Sequence, residues 1–357
     1  MLVTVSNLDL IRYINETNMN VEHLANVLSE KTRSSNWVVV FKALVTVHHL
    51  MVHGNERFIK HLSSRSTLFT LHNFLDKSVI EGYTMSAFIR RYSKYLNEKS
   101  LAYRMILSDI TKTKRGIDGV IRTMNTEELL NTLTVIQTQF NALLSFNANP
   151  DELTNGIIHA AFMLLFKDSL RLFAAYNDGI LNLLGKYFHM RKNQCRESLD
   201  IYIKFLQGRT KLIQFLNVAE QVGIDRCNIP YITQAPHSLL EALKQHLASL
   251  EEKNDTLSPY WGGGARWPCR NSSGLQLPVK VQRIKMNKKI KNITLQHITR
   301  NLPTEVTTPL GAPSLMVPQP MIHIQQGLRT STPSTPSAED QTQSKYRYQS
   351  KKIHIQK

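Results

Sequence analysis

The sequence Ala160-Ala161-Phe162-Met163-Leu164-Leu165-Phe166-Lys167-Asp168, which continues to Arg171-Leu172-Phe173-Ala174-Ala175-Tyr176-Asn177, decides the fold class. Its apolar residues lie on nearly all sides of a helix, a pattern typical of a helix that is buried on several sides. Lys167, Asp168 and Arg171 interrupt the apolar residues, so no uncharged window of about 18 residues remains and a membrane span is not expected. The stretch therefore predicts the central helix of an all-α core.

Helical spacing continues on both sides of this stretch, from about Leu10 to Leu250. One apolar stripe predicts a helix that begins near Asn125 or Thr126, either of which can cap it; its members are Leu129, Leu133, Ile136, Phe140, Leu143 and Leu144. The β-branched run Trp37–Phe41 favours a strand by propensity alone. Because the run continues to Met51 without turn residues, we interpret it as a buried helix. We expect residues 10–250 to be almost wholly helical, in antiparallel helices that form an α-solenoid.

The amino-acid composition limits the kinds of partner and the cellular location that are expected. The 357 residues carry a formal net charge of +17, and more than half of the excess lies after residue 250. A basic chain suits an anionic partner, either a lipid headgroup or a nucleic acid. The three cysteines, Cys195, Cys227 and Cys269, have neither disulfide-framework nor zinc-site spacing. Because residues 1–7 do not resemble a secretory signal, a cytoplasmic location is expected.

The periodicity ends after Glu252. Residues 254–278 contain Trp261-Gly262-Gly263-Gly264, and proline, threonine and serine dominate from Leu302 to Gln343. Such segments bury too little apolar surface to offset the loss of chain entropy on folding. The expected organisation is a helical domain at residues 1–253 and a disordered, basic tail at residues 254–357.

Several long segments of the helical region carry a family resemblance. They are Trp37–Lys42, His48–Ile59, Phe88–Tyr92, Arg122–Glu127, Phe162–Asn177, Ala219–Asp225 and His246–Glu251. Together they make the chain resemble the ANTH domain of the clathrin-assembly adaptors over about two thirds of its length. The matches are collinear and nearly ungapped, so the resemblance is specific.

The resemblance implies a fold, a function and a set of partners. The family fold is a right-handed α-helical solenoid that binds phosphatidylinositol 4,5-bisphosphate and vesicle SNAREs. Through a disordered tail the family binds clathrin and the plasma-membrane adaptor complex. The implied protein is a non-enzymatic endocytic adaptor without cofactors. It would be cytoplasmic and peripheral at clathrin-coated pits and vesicles and at the inner face of the plasma membrane, with the Golgi as a further location.

Two sites depart from the family pattern. The family has a lysine-rich lipid-binding patch just before the segment that matches Leu10-Ile11, and here those positions hold Val3-Thr4-Val5-Ser6. The two helices that precede this point in the family are absent, so no residue of the family's lipid site carries over. In the groove where the family binds a SNARE helix, Leu184 matches an apolar position. Arg209 stands where a methionine is expected, which weakens an apolar contact.

Other basic residues are the remaining lipid candidates. Lys280–Lys291 contains six basic residues and no acid, including Lys288, Lys289 and Lys291. At about 1 kcal/mol per basic residue near an anionic leaflet, six could hold the tail on a membrane; a soluble linker or an import signal are the alternatives. A second basic segment contains Lys112, Lys114 and Arg115. It is either a solvated loop or a segment that contacts lipid. We expect the domain alone to bind phosphoinositides weakly and without selectivity.

No enzyme, metal site or nucleic-acid surface is expected. Among His48, His49, His53 and His61, the pair His49 and His53 shares a helical face, but the third ligand and the glutamate of a His-Glu-x-x-His zinc motif are missing. Cys195 lies near Lys192 and Arg196, yet no histidine base can be placed beside it. The basic residues Arg90, Arg91 and Lys94 alternate with Tyr92 and Tyr95, a pattern more typical of a solvated face next to a core stripe.

Two hypotheses follow for the function. The tail contains no Asp-Pro-Phe, Asn-Pro-Phe or Asp-Leu-Leu triplet and no clathrin box. The chain is therefore either an endocytic adaptor that links membrane, SNARE cargo and clathrin coat, or a scaffold or decoy solenoid that binds a helical partner but not lipid. Without the first two family helices, we expect Leu10, Ile11, Ile14 and the Trp37 helix to be partly uncovered.

Overall fold

The computed structural model describes residues 9–12, 14–15, 20–65, 68–232 and 236–255, without the side chains of 237 and 252–255. After the short helical residues 9–12 and 14–15, the chain forms nine helices within these ranges. They are α1 (Val21–Lys31), α2 (Trp37–His53), α3 (Glu56–Ser63), α4 (Ile80–Ile106), α5 (Val120–Thr123), α6 (Thr126–Leu144), α7 (Gly156–Lys186), α8 (Lys192–Gln221) and α9 (His237–Asp255). Three 3₁₀ turns occur at Pro150–Thr154, Tyr187–His189 and Arg226–Asn228.

Asparagine side chains cap the N-termini of five of the helices. In each case the side-chain oxygen accepts a hydrogen bond from a backbone N–H two or three residues later, which satisfies a donor that the helix itself leaves unpaired. The five caps are Asn20, Asn36, Asn55, Asn125 and Asn155. At α6 the cap is reciprocal, because the Glu128 side chain accepts in turn from the Asn125 N–H. The helix start predicted at Asn125 is confirmed.

Helix α7 is the centre of the fold, as the sequence predicts. It contacts α2, α5, α6 and α8, and Phe162, Leu165 and Leu172 are fully buried. The predicted stripe of α6 is buried against it. No strand occurs among the described residues, and Trp37–Phe41 lies in α2, so burial overrides its strand propensity. The all-α prediction is confirmed.

None of the helices in the described part of the chain is by itself long and apolar enough to cross a membrane. Helices α2 and α3 together reach the required length and composition, but the chain bends by 120° between them. The tail was expected to begin at residue 254, but residues 254 and 255 belong to α9. The rest of the expected disordered tail to residue 357, with Lys288, Lys289 and Lys291, lies outside the described residues.

The predicted partial uncovering of the first helices is wrong for Ile14, but it agrees with Leu10, Ile11 and the Trp37 helix, where Val39 is 38% exposed. Ile14 is 1% exposed and Trp37 is 6% exposed, while Leu10 and Ile11 are half-buried. The connection before α4 contacts the start of α2, where the Trp37 N–H donates to the Asp76 carboxylate at 2.9 Å.

Large exposed apolar side chains are concentrated in two places. The first group surrounds the start of α4 and includes Ile80, which is 94% exposed; its other members are Val39, Leu75, Val79 and Tyr83. The second group lies where α4 ends and the chain connects to α5, and consists of Met105, Leu107, Ile117 and Val120. Leu107 ends α4 in the left-handed conformation, with φ of 60°.

Candidate functional site

The predicted basic loop is the connection between α4 and α5, residues 107–119. Its three cations, Lys112, Lys114 and Arg115, are all exposed. Lys112 Nζ donates to the backbone carbonyl of Met51 on α2 at 3.3 Å and lies 3.8 Å from the Asp109 carboxylate. The loop therefore presents its charges to solvent while Lys112 fastens it to α2.

A second contact fastens the loop to α7. The Gly116 N–H donates to the Asp178 carboxylate at 3.2 Å, and the Arg122 guanidinium lies 3.9 Å from the same carboxylate. Gly116 has φ of 94°, a left-handed conformation that favours glycine. These contacts place the basic loop beside the C-terminal end of α2 and the second half of α7.

Two histidines of α2 lie at this end. His49 and His53 are one helical turn apart, with ring centroids separated by 6.1 Å. Partial burial lowers the pKa of His53, and the positive charges of Lys167, Arg171 and Lys112 lower it further. The contacts from Lys112 to Met51 and from His48 to Asp168 bring the basic loop and α7 against α2 here, which agrees with the influence of these cations on His53.

Burial and nearby positive charges also affect the pKa of His49. Burial, with the neighbouring His48, His53 and Lys167, lowers the pKa of His49 to about 4. Both exposed-face histidines are therefore neutral at pH 7. Lys167 and Arg171 are also one turn apart on α7, so they project from the same side of that helix.

Beneath this surface lies a buried polar network that the sequence analysis missed. The Asp168 Oδ2 atom accepts from His48 Nε2 at 3.0 Å, from the Tyr95 hydroxyl at 2.6 Å and from Lys99 Nζ at 2.8 Å. The Tyr92 hydroxyl donates to His48 Nδ1 at 2.8 Å. All five side chains are almost fully buried, so the network joins α2, α4 and α7 inside the core.

The protonation states in the network follow from its contacts. Burial alone would raise the pKa of Asp168, but the Lys99 charge and the His48 hydrogen bond hold it well below its ordinary value. Burial lowers the pKa of His48 despite the neighbouring carboxylate. Burial alone would lower the pKa of Lys99, but the charges of Asp168 and Asp109 and the hydrogen bond to Asp168 together raise it, so Lys99 keeps its proton. The network is thus an ion pair accompanied by a neutral histidine.

The two predicted groove residues lie on successive helices. Leu184 is in the last turn of α7 and is 5% exposed. Arg209 lies past the midpoint of α8 and is half-buried, and this burial lowers the pKa of its guanidinium. Leu184 therefore belongs to the core, whereas Arg209 is partly open to solvent.

The remaining sequence candidates have structural roles. Both ring nitrogens of His48 are occupied by the buried network, and His61 Nε2 lies 3.2 Å from Arg65 Nη2. In the described part of the chain, no three potential ligands are grouped as a metal ion requires. Cys195 is fully buried, with its sulfur 3.4 Å from the Tyr187 carbonyl.

The arginines of α4 are engaged with the protein itself. Arg90 donates to the Phe74 carbonyl at 2.7 Å. Arg91 donates to the Asn147 carbonyl at 3.1 Å, and its guanidinium carbon lies 4.5 Å from the centre of the Phe88 ring. Tyr92 and Tyr95 are in the core, so the alternation of basic and aromatic residues separates an outer from an inner helix face.

Comparisons with known proteins identify the family of the helical domain. Residues 6–249 match the family described as ANTH domain. The human phosphatidylinositol-binding clathrin assembly protein is 66% identical over 244 residues, covering 68% of this chain and 37% of the relative. The human clathrin coat assembly protein AP180 is 57% identical over 264 residues, covering 74% and 29%. The Drosophila melanogaster phosphatidylinositol-binding clathrin assembly protein LAP is 53% identical over 254 residues, covering 68% and 54%.

The chain thus spans less than two fifths of the length of the first of these relatives. Among solved structures, a chain from helical ANTH and ENTH tubules on PI(4,5)P2-containing membranes aligns with a TM-score of 0.49 at 12% identity, covering 62% of this chain and 84% of that one.

Proposed function

Because this chain belongs to the ANTH-domain family, we propose that it is a non-enzymatic adaptor in the assembly of clathrin coats on phosphoinositide membranes. The observation that carries the proposal is the 66% identity, over 244 residues, to a protein named for binding phosphatidylinositol and for clathrin assembly. That identity covers the domain whose core, caps and central α7 helix are described above. The proposed role is therefore that of a binding module.

The finer parts of the proposal concern partners and location. We propose clathrin and the plasma-membrane adaptor complex as coat partners, and a vesicle SNARE helix as cargo near Arg209. The proposed location is cytoplasmic and peripheral, at coated pits and vesicles and the inner face of the plasma membrane, with the Golgi as a further location. Support comes from the family membership and from the names of the relatives.

The test is co-sedimentation of the full chain with purified clathrin and with vesicles. We expect clathrin to be recruited to vesicles that contain phosphatidylinositol 4,5-bisphosphate only when the chain is present. The matched control is a vesicle in which phosphatidylserine supplies the same total charge. Failure to recruit clathrin to either vesicle would contradict the coat role.

One observation favours a second function, a scaffold or decoy that binds a helical partner without binding lipid. Val3-Thr4-Val5-Ser6 replaces the family's lysine-rich patch, and hydroxyl groups supply far weaker binding to phosphate than lysine ammonium groups. This function predicts that the chain binds a SNARE helix but does not sediment with either vesicle. The same co-sedimentation experiment therefore separates the two functions.

A further inference from the structure

We propose that His49, His53, Lys112, Lys167 and Arg171 form a binding site for a multiply phosphorylated anion, such as a phosphorylated inositol ring, and that binding is coupled to protonation of the two histidines. We call these five residues the cationic face. They come from α2, from α7 and from the connection between α4 and α5. The site is separate from the family's lysine patch, whose positions here hold Val3–Ser6.

The buried contact between His48 and Asp168 fixes the geometry of the cationic face. It holds α2 and α7 together at 3.0 Å, and the next residue on α2 and the preceding residue on α7 are His49 and Lys167. One turn further along each helix come His53 and Arg171. Lys112 is held against α2 by the Met51 carbonyl. The five groups are therefore placed by the core rather than by flexible chain ends.

The cationic face has few acidic neighbours. Among the described residues, neither Lys167 nor Arg171 forms an ion pair with a carboxylate. Asp168 acts on His53 from α7, but it is buried and paired with Lys99. The Asp109 carboxylate lies 3.8 Å from Lys112.

The other elements that adjoin His53 add little negative charge. On α3, Glu56 accepts from the Tyr103 hydroxyl, and its neighbour Arg57 is basic. The helical residues before α1 contact His53 through Asn15, whose side-chain amide donates to the His53 carbonyl at 3.2 Å. That segment also carries Asp9 and Arg12, one acid and one base. The field at the two histidines is therefore positive.

A multivalent anion relieves the repulsion among these groups. Like charges held close together raise the energy of the free protein, and a phosphate among them replaces repulsion by charge-assisted hydrogen bonds. Burial, reinforced by the neighbouring positive charges, lowers the pKa of both histidines and keeps them neutral in the free protein. A bound anion favours the protonated form, so each histidine gains a donor when the ligand arrives. Acidification should consequently tighten binding.

The second exposed apolar group indicates where such an anion would be found. Met105, Leu107, Ile117 and Val120 lie in or beside the connection that carries Lys112. Exposed apolar side chains next to basic ones suit a membrane interface, where the former enter the headgroup region and the latter bind phosphates. This differs from the expectation from sequence that the domain alone binds phosphoinositides weakly and without selectivity. It stands independently of the proposed clathrin role.

The decisive variant is Lys167→Gln with Arg171→Gln, and its control is Lys94→Gln with Lys211→Gln. Both pairs remove two charges from exposed or half-buried positions, but Lys94 and Lys211 lie on α4 and α8, outside the cationic face. The full chain carries Lys288→Gln, Lys289→Gln and Lys291→Gln in every case, so that the tail does not mask the site. Binding of inositol hexakisphosphate is measured by titration calorimetry at pH 7.

We expect the Lys167/Arg171 variant to lose about tenfold or more in affinity, which is about 1.4 kcal/mol, and the control to lose no more than twofold. Equal losses in the two variants would overturn the proposal, because they would reflect net charge alone. No binding by the parent chain would overturn it as well.

Two further experiments identify the source of the anion and the role of the histidines. If the ligand is a lipid headgroup, Leu107→Ser with Ile117→Ser weakens sedimentation with phosphatidylinositol 4,5-bisphosphate vesicles but not binding of free inositol hexakisphosphate. Unchanged sedimentation would assign the site to a soluble inositol phosphate.

Affinity for the free anion should rise between pH 7.5 and 5.5, and His49→Gln with His53→Gln should abolish the rise. A pH dependence that persists in this variant would overturn the coupling to the histidines.

Discussion

The His48 Nε2 atom lies 3.0 Å from the Asp168 Oδ2 atom, and this contact joins α2 to α7 across 120 residues of sequence. Because Nε2 carries the proton that Asp168 accepts, Nδ1 is free to accept from the Tyr92 hydroxyl. The same carboxylate oxygen also receives Lys99 and Tyr95. A single buried oxygen thus receives donors from two of the helices that pack around α7.

Asp168→Asn should strongly destabilise the protein. The substitution keeps the side-chain shape but removes the charge that compensates buried Lys99, and breaking a buried ion pair typically costs about 3–5 kcal/mol. Chemical denaturation of the full chain, monitored by circular dichroism, measures the change in the free energy of unfolding. The control is Asp178→Asn on the same helix, whose asparagine can still accept from the Gly116 N–H. We expect that control to cost about 1 kcal/mol or less; similar losses in both variants would contradict the prediction.

Acidification below pH 6.5 should destabilise the protein. The pKa values of His48, His49 and His53 are lowered from 6.5 in the folded chain, so the unfolded chain binds more protons in this range. Their contribution is fully present above pH 6.5 and is lost as the pH falls towards the folded value of about 4 for His49. Asp168 does not contribute to this loss, because its contribution is lost only below pH 3.8.

The measurement is the melting temperature between pH 7.5 and 5. It should fall in the parent chain, and His49→Gln with His53→Gln should make the fall smaller. A melting temperature that is constant or rises on acidification would show that the lowered histidine pKa values are wrong.

Two glycines of α7 should respond in opposite directions to substitution. A Cβ atom at Gly179 would lie 2.5 Å from Leu133 Cδ2 and 3.2 Å from Ile121 Cγ2, whereas one at Gly185 meets nothing within 4 Å. Gly179→Val should destabilise by about 1–3 kcal/mol through overpacking. Gly185→Ala should stabilise by about 0.5–1 kcal/mol, because alanine loses less backbone entropy in a helix. Denaturant titration of both variants checks the two signs.

Arg209→Met should strengthen binding of a vesicle SNARE helix, if the proposed cargo groove is correct. Methionine replaces a half-buried guanidinium by an apolar side chain, and a gain of about 1 kcal/mol in apolar contact corresponds to roughly fivefold in affinity. The measurement is calorimetry with a synthetic SNARE-motif peptide. Lys211→Met, at an exposed position two residues later, is the control. Equal affinities for the two variants would place the groove elsewhere.

Much of the fold was predictable because its apolar positions repeat with helical spacing. The α6 stripe from Leu129 to Leu144 and the central α7 helix could be identified from single segments. The run that begins at Trp37 favours a strand by propensity, and only its length, to Met51 without turn residues, indicates a helix. The hydrogen bond at the Trp37 N–H was not predictable, since its acceptor is Asp76, a residue 39 positions away that resembles an ordinary loop acid.

The candidate site was harder to predict because one-dimensional spacing does not show direction. Lys167, Asp168 and Arg171 look alike as interruptions of an apolar run. In the helix, Lys167 and Arg171 share an outer face while Asp168 points into the core. The partner of Asp168 that carries the compensating charge, Lys99, is 69 residues away. Only the packing of α4 on α7 distinguishes a buried ion pair from surface charge.

On α2 and α7, the side chains that hold the helices together differ from those that carry the exposed charges, and this separation has an evolutionary consequence. His48 and Asp168 face inward and hold the two helices together, whereas the adjacent His49 and Lys167 face the other way and take no part in that contact. Copies of this domain can therefore gain or lose outward cations one at a time without losing the ability to fold. Diverging descendants should retain the inward pair while their affinity for anions, and its dependence on acidity, adapts to different compartments.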